Sequence, residues 1–456
     1  MSTHVAETIV ERYKSRTPGS MRCAERAKRS LPGGDSRSVT FYSPYPAYMV
    51  RGEGCHLVDC DGNRYIDFLN NYTSLIHGHA HPAIVQAASA QLEKGAVLGS
   101  ASEAQAELAG ILCERVPGID VVRFCNSGTE ATMMAMRAAR AYTGRDLIIK
   151  MDGGYHGSHD FAEVNVIPRG CVKGFPEVRL EGRGIPTVVL DGVLISRFND
   201  AESVARLLAE YAGQVAAIIL EPMMGAAGMI PPGKGYLRAL RSLADEHNVL
   251  LIFDEVITFR LGLGGLQARE AVSPDLTALG KIIGGGFAVG AFGGRREIMA
   301  LFDPYHPESL IHSGTFNGNN ITMAAGAAAM RYYDQAAVDQ INELGDRLRT
   351  GFCHAFRAAG IKGGAKGIGS LMNLYWGERG PLPMARSERD VANAEMSRLL
   401  HLEMLNRGIF AAVRGMFCVS TAMTGQEIDG ALQAMDGALQ LLRPHVAKVA
   451  PHLLSD

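Results

Sequence analysis

The sequence predicts an α/β protein: a large domain with a mainly parallel sheet between helices, and a smaller α+β domain made from both ends of the chain. Three observations predict it. From about residue 80 onward, short apolar runs alternate with longer helical stretches, the pattern of strand–helix units that cover a sheet on both faces. Beyond about residue 330 that alternation gives way to α+β character. Finally, 456 residues with 47% hydrophobic content are long for one core, so two lobes are expected. The implied boundaries are 1–78 and 331–456 for the two parts of the small domain, and 79–330 for the large one.

Residues 1 to about 30 are charged and helix-permissive, ending at Leu31-Pro32-Gly33-Gly34. A strand-like region follows, with turns expected at Arg51-Gly52-Glu53-Gly54 and Asp61-Gly62-Asn63. Apolar runs at 121–124, 147–149, 215–220 and 249–253 read as strands, and 130–142 and 201–211 read as helices between them. Helices are expected again near 338–359 and 390–407. The Met133, Met134, Met136 group is expected to face a core.

A net charge of −2 provides no basic footprint for nucleic acid and no acidic tail. Eight cysteines occur without a CxxC pair, which fits a reducing compartment better than a disulfide framework. The start, Met1-Ser2-Thr3-His4-Val5-Ala6-Glu7, lacks the charged-then-apolar order of a signal peptide, and no apolar stretch is long enough to span a bilayer. The expected location is cytoplasmic.

Chemistry gathers at the ends of the expected strands. Lys281 lies in Gly280-Lys281-Ile282-Ile283-Gly284-Gly285-Gly286, 27 positions (281 − 254) after Asp254. Asp254 ends the run Leu250-Leu251-Ile252-Phe253-Asp254, so a buried strand delivers a carboxylate and a glycine-bracketed loop delivers a lysine. Pyridoxal phosphate (PLP) chemistry needs such a pair, a lysine for the Schiff base and an acid on the pyridinium nitrogen. A solvated lysine in a glycine loop is the bland alternative. Asn126-Ser127-Gly128-Thr129-Glu130 follows a strand and opens a helix, where backbone amides and two hydroxyls make either a phosphate cup or an ordinary N-cap. In Gly153-Gly154-Tyr155-His156-Gly157, an aromatic ring in a glycine frame is placed to stack on a flat cofactor, or simply marks a surface turn. Glu221-Pro222 offers a further carboxylate at the carboxyl end of the sheet, where open α/β folds bind ligands. His77-Gly78-His79-Ala80-His81 resembles a metal site in spacing alone, because no carboxylate or thiol cluster accompanies it.

Taken together, phosphate cup, aromatic stacker, ring acid and lysine occur in chain order. The chain resembles the class III PLP-dependent aminotransferases of fold type I from Pro32-Gly33-Gly34 through Arg414. The resemblance rests on Asn126-Ser127-Gly128-Thr129-Glu130-Ala131, Tyr155-His156-Gly157, Asp254-Glu255-Val256, the Lys281 segment and Ser313-Gly314-Thr315-Phe316. It implies that Ser127, Gly128 and Thr129 hold the cofactor phosphate, and that Tyr155 stacks on the ring with His156 and Glu221 nearby. Asp254 then pairs with the ring nitrogen, Val256 packs on the opposite ring face, and Lys281 bonds the aldehyde and later shuttles the proton. Thr315 is implied to reach the phosphate of a neighbouring subunit, making a homodimer.

Within that family the chain resembles the β-phenylalanine aminotransferases first and the glutamate-1-semialdehyde aminomutases next. Both groups are expected to have an arginine at the Arg37 position. The Ser36-Arg37-Ser38-Val39 and Val413-Arg414-Gly415 surroundings resemble the β-amino acid group, in which Arg37 holds the β-amino acid carboxylate and Arg414 the α-carboxylate of the acceptor. A mutase is expected to carry a Gly-, Ser- and Pro-rich gating loop after His156, whereas this chain reads Val164-Asn165-Val166-Ile167-Pro168-Arg169-Gly170-Cys171-Val172-Lys173. Tyr72, Phe41 and Tyr42 are implied to line the side-chain pocket. The expected reaction moves an amino group from a β-amino acid, aromatic such as β-phenylalanine or aliphatic, to 2-oxoglutarate or pyruvate by a ping-pong course. An aminomutase or an amino acid racemase on the same scaffold is the alternative. A silent PLP-fold binding protein is a third reading, against which the intact Lys281 and Asp254 argue.

Overall fold

The computed structural model of the chain describes residues 2–167, 175–378 and 393–455. They form two compact units, one built from Met1–His81 and the described residues from Asp339 onward, the other from Pro82–Val338.

The smaller unit opens with helices Ser2–Arg16 and Pro18–Ala27 and then strands β1 (Met49–Glu53), β2 (His56–Asp59) and β3 (Arg64–Asp67). The first turn is tighter than the sequence reading had it. Arg51–Glu53 belong to β1, Glu53 pairs with His56, and only Gly54 and Cys55 form the loop. Gly54, at φ 55°, supplies the left-handed conformation that a two-residue hairpin requires. The second turn falls at Asp61-Gly62-Asn63 as expected, with Asp59 N–H donating to the Asn63 carbonyl at 3.0 Å.

In the larger unit, β4 (Val121–Cys125), β5 (Leu147–Met151), β6 (Val193–Ser196), β7 (Val215–Leu220), β8 (Leu250–Asp254), β9 (Leu276–Gly280) and β10 (Gly290–Gly294) form one sheet in the order β4-β10-β9-β8-β7-β5-β6. Every neighbouring pair is parallel except the two that involve β10. The strands expected at 121–124, 147–149, 215–220 and 249–253 are all present, whereas the sequence reading singled out none of β6, β9 and β10 as strands. The β10 run Gly-Ala-Phe-Gly-Gly has little strand propensity. Its glycines answer to crowding instead: a Cβ on Gly290 would lie 2.0 Å from the Ser127 carbonyl oxygen. Helix Gly128–Thr143 buries Ala131, Met134, Ala135, Ala138 and Ala139 on one face of the sheet, and Met133, Met134 and Met136 all join that core. Helices Ala201–Glu210 and Tyr236–Glu246 cover the other face.

After helix Gln335–Ala358 the chain returns to the smaller unit. There β11 (Gly363–Ile368), β12 (Leu371–Trp376) and β14 (Met416–Cys418) make an antiparallel sheet, and β13 (Ile409–Phe410) joins β3 in parallel. Helix Ala394–Asn406 matches the later part of the expected 390–407 helix, whose first residues lie outside the described ones. No helix among the described residues is long and apolar enough to cross a membrane.

Candidate active site

Strand parity decides which side chains meet at the sheet edge. Successive strand residues face opposite sides. Ala217, Ile219, Leu250, Ile252, Leu276 and Ala278 lie in the core beneath helix Gly128–Thr143. Ile218, Leu220, Leu251 and Phe253 pack on the other face. Continuing by two residues therefore sets Glu221, Asp254 and Gly280 on the helix side at the carboxyl ends of β7, β8 and β9. That edge is also where the helix begins.

Ser127 caps this helix, its Oγ accepting from the Glu130 amide at 3.2 Å, while the Glu130 carboxylate reaches back to the Asn126 amide at 2.5 Å. The N-cap alternative is therefore real, and it coexists with the cup rather than replacing it. The first-turn amides of Gly128 and Thr129 have no intrahelical acceptor and carry the positive end of the helix dipole. Gly157, at φ 96°, closes the cup from the side: a Cβ there would lie 2.5 Å from Thr129 Cα. Ser158 N–H also donates to Thr129 Oγ1 at 3.3 Å. Val256 stands under Gly128, with two methyl groups 3.0 Å from where a Cβ would sit.

Asp254 is buried, and burial pushes its carboxyl up to about 7 against the pull of the Val256 amide and the Lys281 charge. His156 Nδ1 lies 2.9 Å from Asp254 Oδ2. Burial and the nearby Lys150 charge depress the imidazole to about 3. The contact is thus a hydrogen bond to a neutral ring rather than an ion pair. Glu221 is held by the Tyr155 amide at 3.2 Å and the Gly225 amide at 2.9 Å, and burial plus the Asp254 charge raise it to about 7.

The glycine-bracketed loop expected to carry Lys281 is a tight turn. β9 runs through Gly280, and Lys281 opens a 3-10 turn, Lys281–Gly284, with its own φ at 51°. A long side chain in left-handed backbone is strained, and such strain gathers at working sites. Tyr155 is 39% exposed at the rim of the same edge. Thr315 stands apart: it is exposed, and among the described residues no hydrogen bond ties it to the cup of its own chain.

The arginines and aromatics expected to meet substrate are all in the smaller unit. Arg37 Nη1 donates to Asn71 Oδ1 at 2.8 Å, and its guanidinium carbon lies 5.9 Å from the centre of the Tyr72 ring. Burial raises the Tyr72 phenol, while Arg414 and Arg37 both pull it down, so the two guanidinium groups share one neighbour. Phe41 is 53% exposed beside them in sequence, whereas Tyr42 is buried against Tyr13 and His401 and packs the unit's interior. The histidine run is structural. His79 Nε2 bonds Asp67 at 2.7 Å and His77 Nδ1 bonds Thr421 at 2.9 Å.

The family model for class-III aminotransferases matches residues 40–369. The chain belongs to that family. A β-phenylalanine transaminase of Variovorax paradoxus is 39% identical over 435 residues, covering 94% of this chain and 95% of its own. A glutamate-1-semialdehyde 2,1-aminomutase of Methanothrix thermoacetophila is 40% identical over 387 residues, or 85% and 88% of the two chains. A solved omega-transaminase from Sphaerobacter thermophilus aligns at a TM-score of 0.88 with 42% identity, over 94% of this chain and 99% of that one. The protein is accordingly a PLP-dependent transaminase of fold type I.

The residues at the sheet edge of this aminotransferase fit that cofactor. Two unpaired amides with two hydroxyls suit a phosphate, and a buried carboxylate that ionises only near neutrality suits a cationic ring nitrogen. His156 Nε2 is buried without a hydrogen-bond partner. Sequence reasoning missed Lys150, which is wholly buried in β5 and donates to the carbonyls of Ala162 (2.7 Å) and Val164. It pins the segment that follows Tyr155 and His156. The signal was available: a lysine inside the apolar run Ile148-Ile149-Lys150-Met151.

Proposed function

We propose that this aminotransferase moves an amino group from a β-amino acid, aromatic such as β-phenylalanine, to 2-oxoglutarate or pyruvate by a ping-pong course. The observation that carries the reading is the Arg37 guanidinium held by Asn71 and 5.9 Å from the centre of the Tyr72 ring, a phenol that the Arg414 charge also pulls down. A β-amino acid holds its carboxylate one carbon further from the amine than an α-keto acid acceptor does from its carbonyl. One fixed arginine serves both poorly, so Arg37 takes the donor carboxylate and Arg414 the acceptor's. Phe41 and Tyr72 receive the substrate side chain.

In the larger unit, Ser127, Gly128 and Thr129 bind the phosphate, Tyr155 and Val256 flank the ring, and Asp254 holds a proton on the ring nitrogen. His156 and Glu221 position Asp254 and Tyr155. When bound, PLP supplies an electron sink for the pair left by C–H cleavage. The Lys281 amine takes that proton and returns it on the far side of the exchange. Thr315 reaches the phosphate of a second copy, giving a homodimer. Support comes from the exposed large hydrophobic residues of the same stretch of chain, Tyr305 at 96%, Ile311 at 84% and Phe316 at 59%.

The 40% identity to a glutamate-1-semialdehyde 2,1-aminomutase favours a second reading on the same residues. The expected mutase gating loop falls partly on residues outside the described ones, so loop sequence alone argues against it. Single-turnover absorbance separates the two. Bleaching of the yellow enzyme by β-phenylalanine, with colour restored by 2-oxoglutarate, is the expected result. Conversion of glutamate-1-semialdehyde to 5-aminolevulinate without any keto acid, and no response to β-phenylalanine, would overturn it.

A further inference from the structure

Four consecutive residues other than glycine, Asn70, Asn71, Tyr72 and Thr73, have positive φ: 46°, 47°, 55° and 77°. They form one left-handed helical turn, closed by Thr73 N–H to the Leu69 carbonyl and Leu75 N–H to the Asn70 carbonyl, each at 3.1 Å. Left-handed backbone is unfavourable for side chains with a Cβ, least so for asparagine, and a tyrosine followed by a β-branched threonine suits it badly. Such a turn persists only where its surroundings over-determine it.

Here they do. Asp67 Oδ1 accepts from the amides of Leu69 (2.8 Å) and Asn70 (2.9 Å), while its other oxygen is held by His79. The buried Asn70 side chain donates to the Cys418 carbonyl at 3.0 Å. What the turn achieves is that two adjacent residues serve one group. Asn71 and Tyr72 both meet the Arg37 guanidinium, whereas an extended segment would send them to opposite faces. Asp35 fixes the other end of the arginine, its Oδ1 accepting from the Arg37 amide at 3.1 Å.

We propose that this turn is a specificity device and that Asn71 is a positioning residue for the carboxylate of the amino donor. The proposal rests on the assignment of Arg37 to that carboxylate. A neutral amide fits the task. It anchors one N–H of the guanidinium without neutralising it, and leaves the remaining donors for a bidentate carboxylate. Aspartate at the same place would compete with the substrate for the charge.

Asn71→Gly separates positioning from folding, because glycine accepts φ of 47° while deleting the amide. The expected result is an unchanged or higher Tm, a KM for β-phenylalanine raised about tenfold, and kcat and the KM for 2-oxoglutarate unchanged. The thermal shift produced by 3-phenylpropanoate, a carboxylate without the amine, should shrink in parallel. Asn71→Asp should also raise the donor KM with little change in Tm. A donor KM within twofold of wild type in Asn71→Gly, or equal increases for donor and acceptor, would overturn the proposal. Arg37→Ala is the control: if it raises the donor KM and Asn71→Gly does not, the proposal alone fails. If Arg37→Ala changes nothing, the Arg37 assignment fails and takes the proposal with it.

Discussion

Asp254→Asn isolates what burying a carboxylate costs this protein. Asparagine keeps the shape, can accept from the Val256 amide, and can donate to the neutral His156 ring that lies 2.9 Å away. The folded Asp254 carboxyl holds its proton to about pH 7, against 3.8 for the ordinary group. Folding is therefore opposed wherever the unfolded chain has already lost that proton. The penalty is absent below about pH 4, grows between 4 and 7, and is complete above 7. Roughly three pH units at about 1.36 kcal/mol each give ~4 kcal/mol. Urea unfolding of the apoprotein at pH 4 to 8 reads it directly. The variant should gain ~4 kcal/mol on wild type across that range, and loss of the Asp254 charge also relieves part of the upward push on Glu221, so the gain is shared by the two carboxyls. Turnover of the PLP-loaded variant should fall steeply, because an amide cannot hold a proton on the ring nitrogen. Parallel stability curves for the two apoproteins would refute the reasoning.

Two further outcomes are expected. Lys281→Ala should lose at least about a thousandfold in turnover, while PLP still co-elutes with the protein on desalting, since the phosphate cup is untouched. Gly157→Ala should both destabilise the fold and weaken PLP binding, because its Cβ would press on Thr129 at 2.5 Å from a backbone at φ 96°. A shift of about 2–3 kcal/mol in calorimetry, with a rise in the PLP Kd, is the measure of it.

The parallel strands were legible because burial on both faces writes them as unbroken apolar runs, as in Val215–Leu220 and Leu250–Asp254. The acid was legible because it ends such a run, and the cup because it directly follows the shorter run Val121–Cys125. β10 was hidden by the requirement that shapes it, since close approach to the Ser127 carbonyl excludes the β-branched residues that advertise a strand. The turn at Asn70–Thr73 was equally invisible. Asn70 and Asn71 tolerate left-handed backbone but Tyr72 and Thr73 speak against it, and of the groups that hold the turn, Asp67 and His79 are near in sequence while Cys418 is far away. The left-handed backbone of Lys281 was hidden too, because the glycines around it mark a tight loop without saying that the lysine itself takes positive φ.

Gly290 lies in register with Cys125 on one side and with Gly280 on the other. The first of these neighbours leads into the cup and the second into Lys281. The backbones that lead into the cup and into Lys281 are thus set two interstrand spacings apart, a ruler of about 10 Å, with Gly290 as its middle mark. Rulers of this kind do not stretch: loops around the site can diversify to accept new amino donors, but a side chain at 290 would spread both graduations at once. On the assignment of Arg37 proposed above, substrate range is free to drift in the unit that carries it, while the spacing around Gly290 stays calibrated in the other.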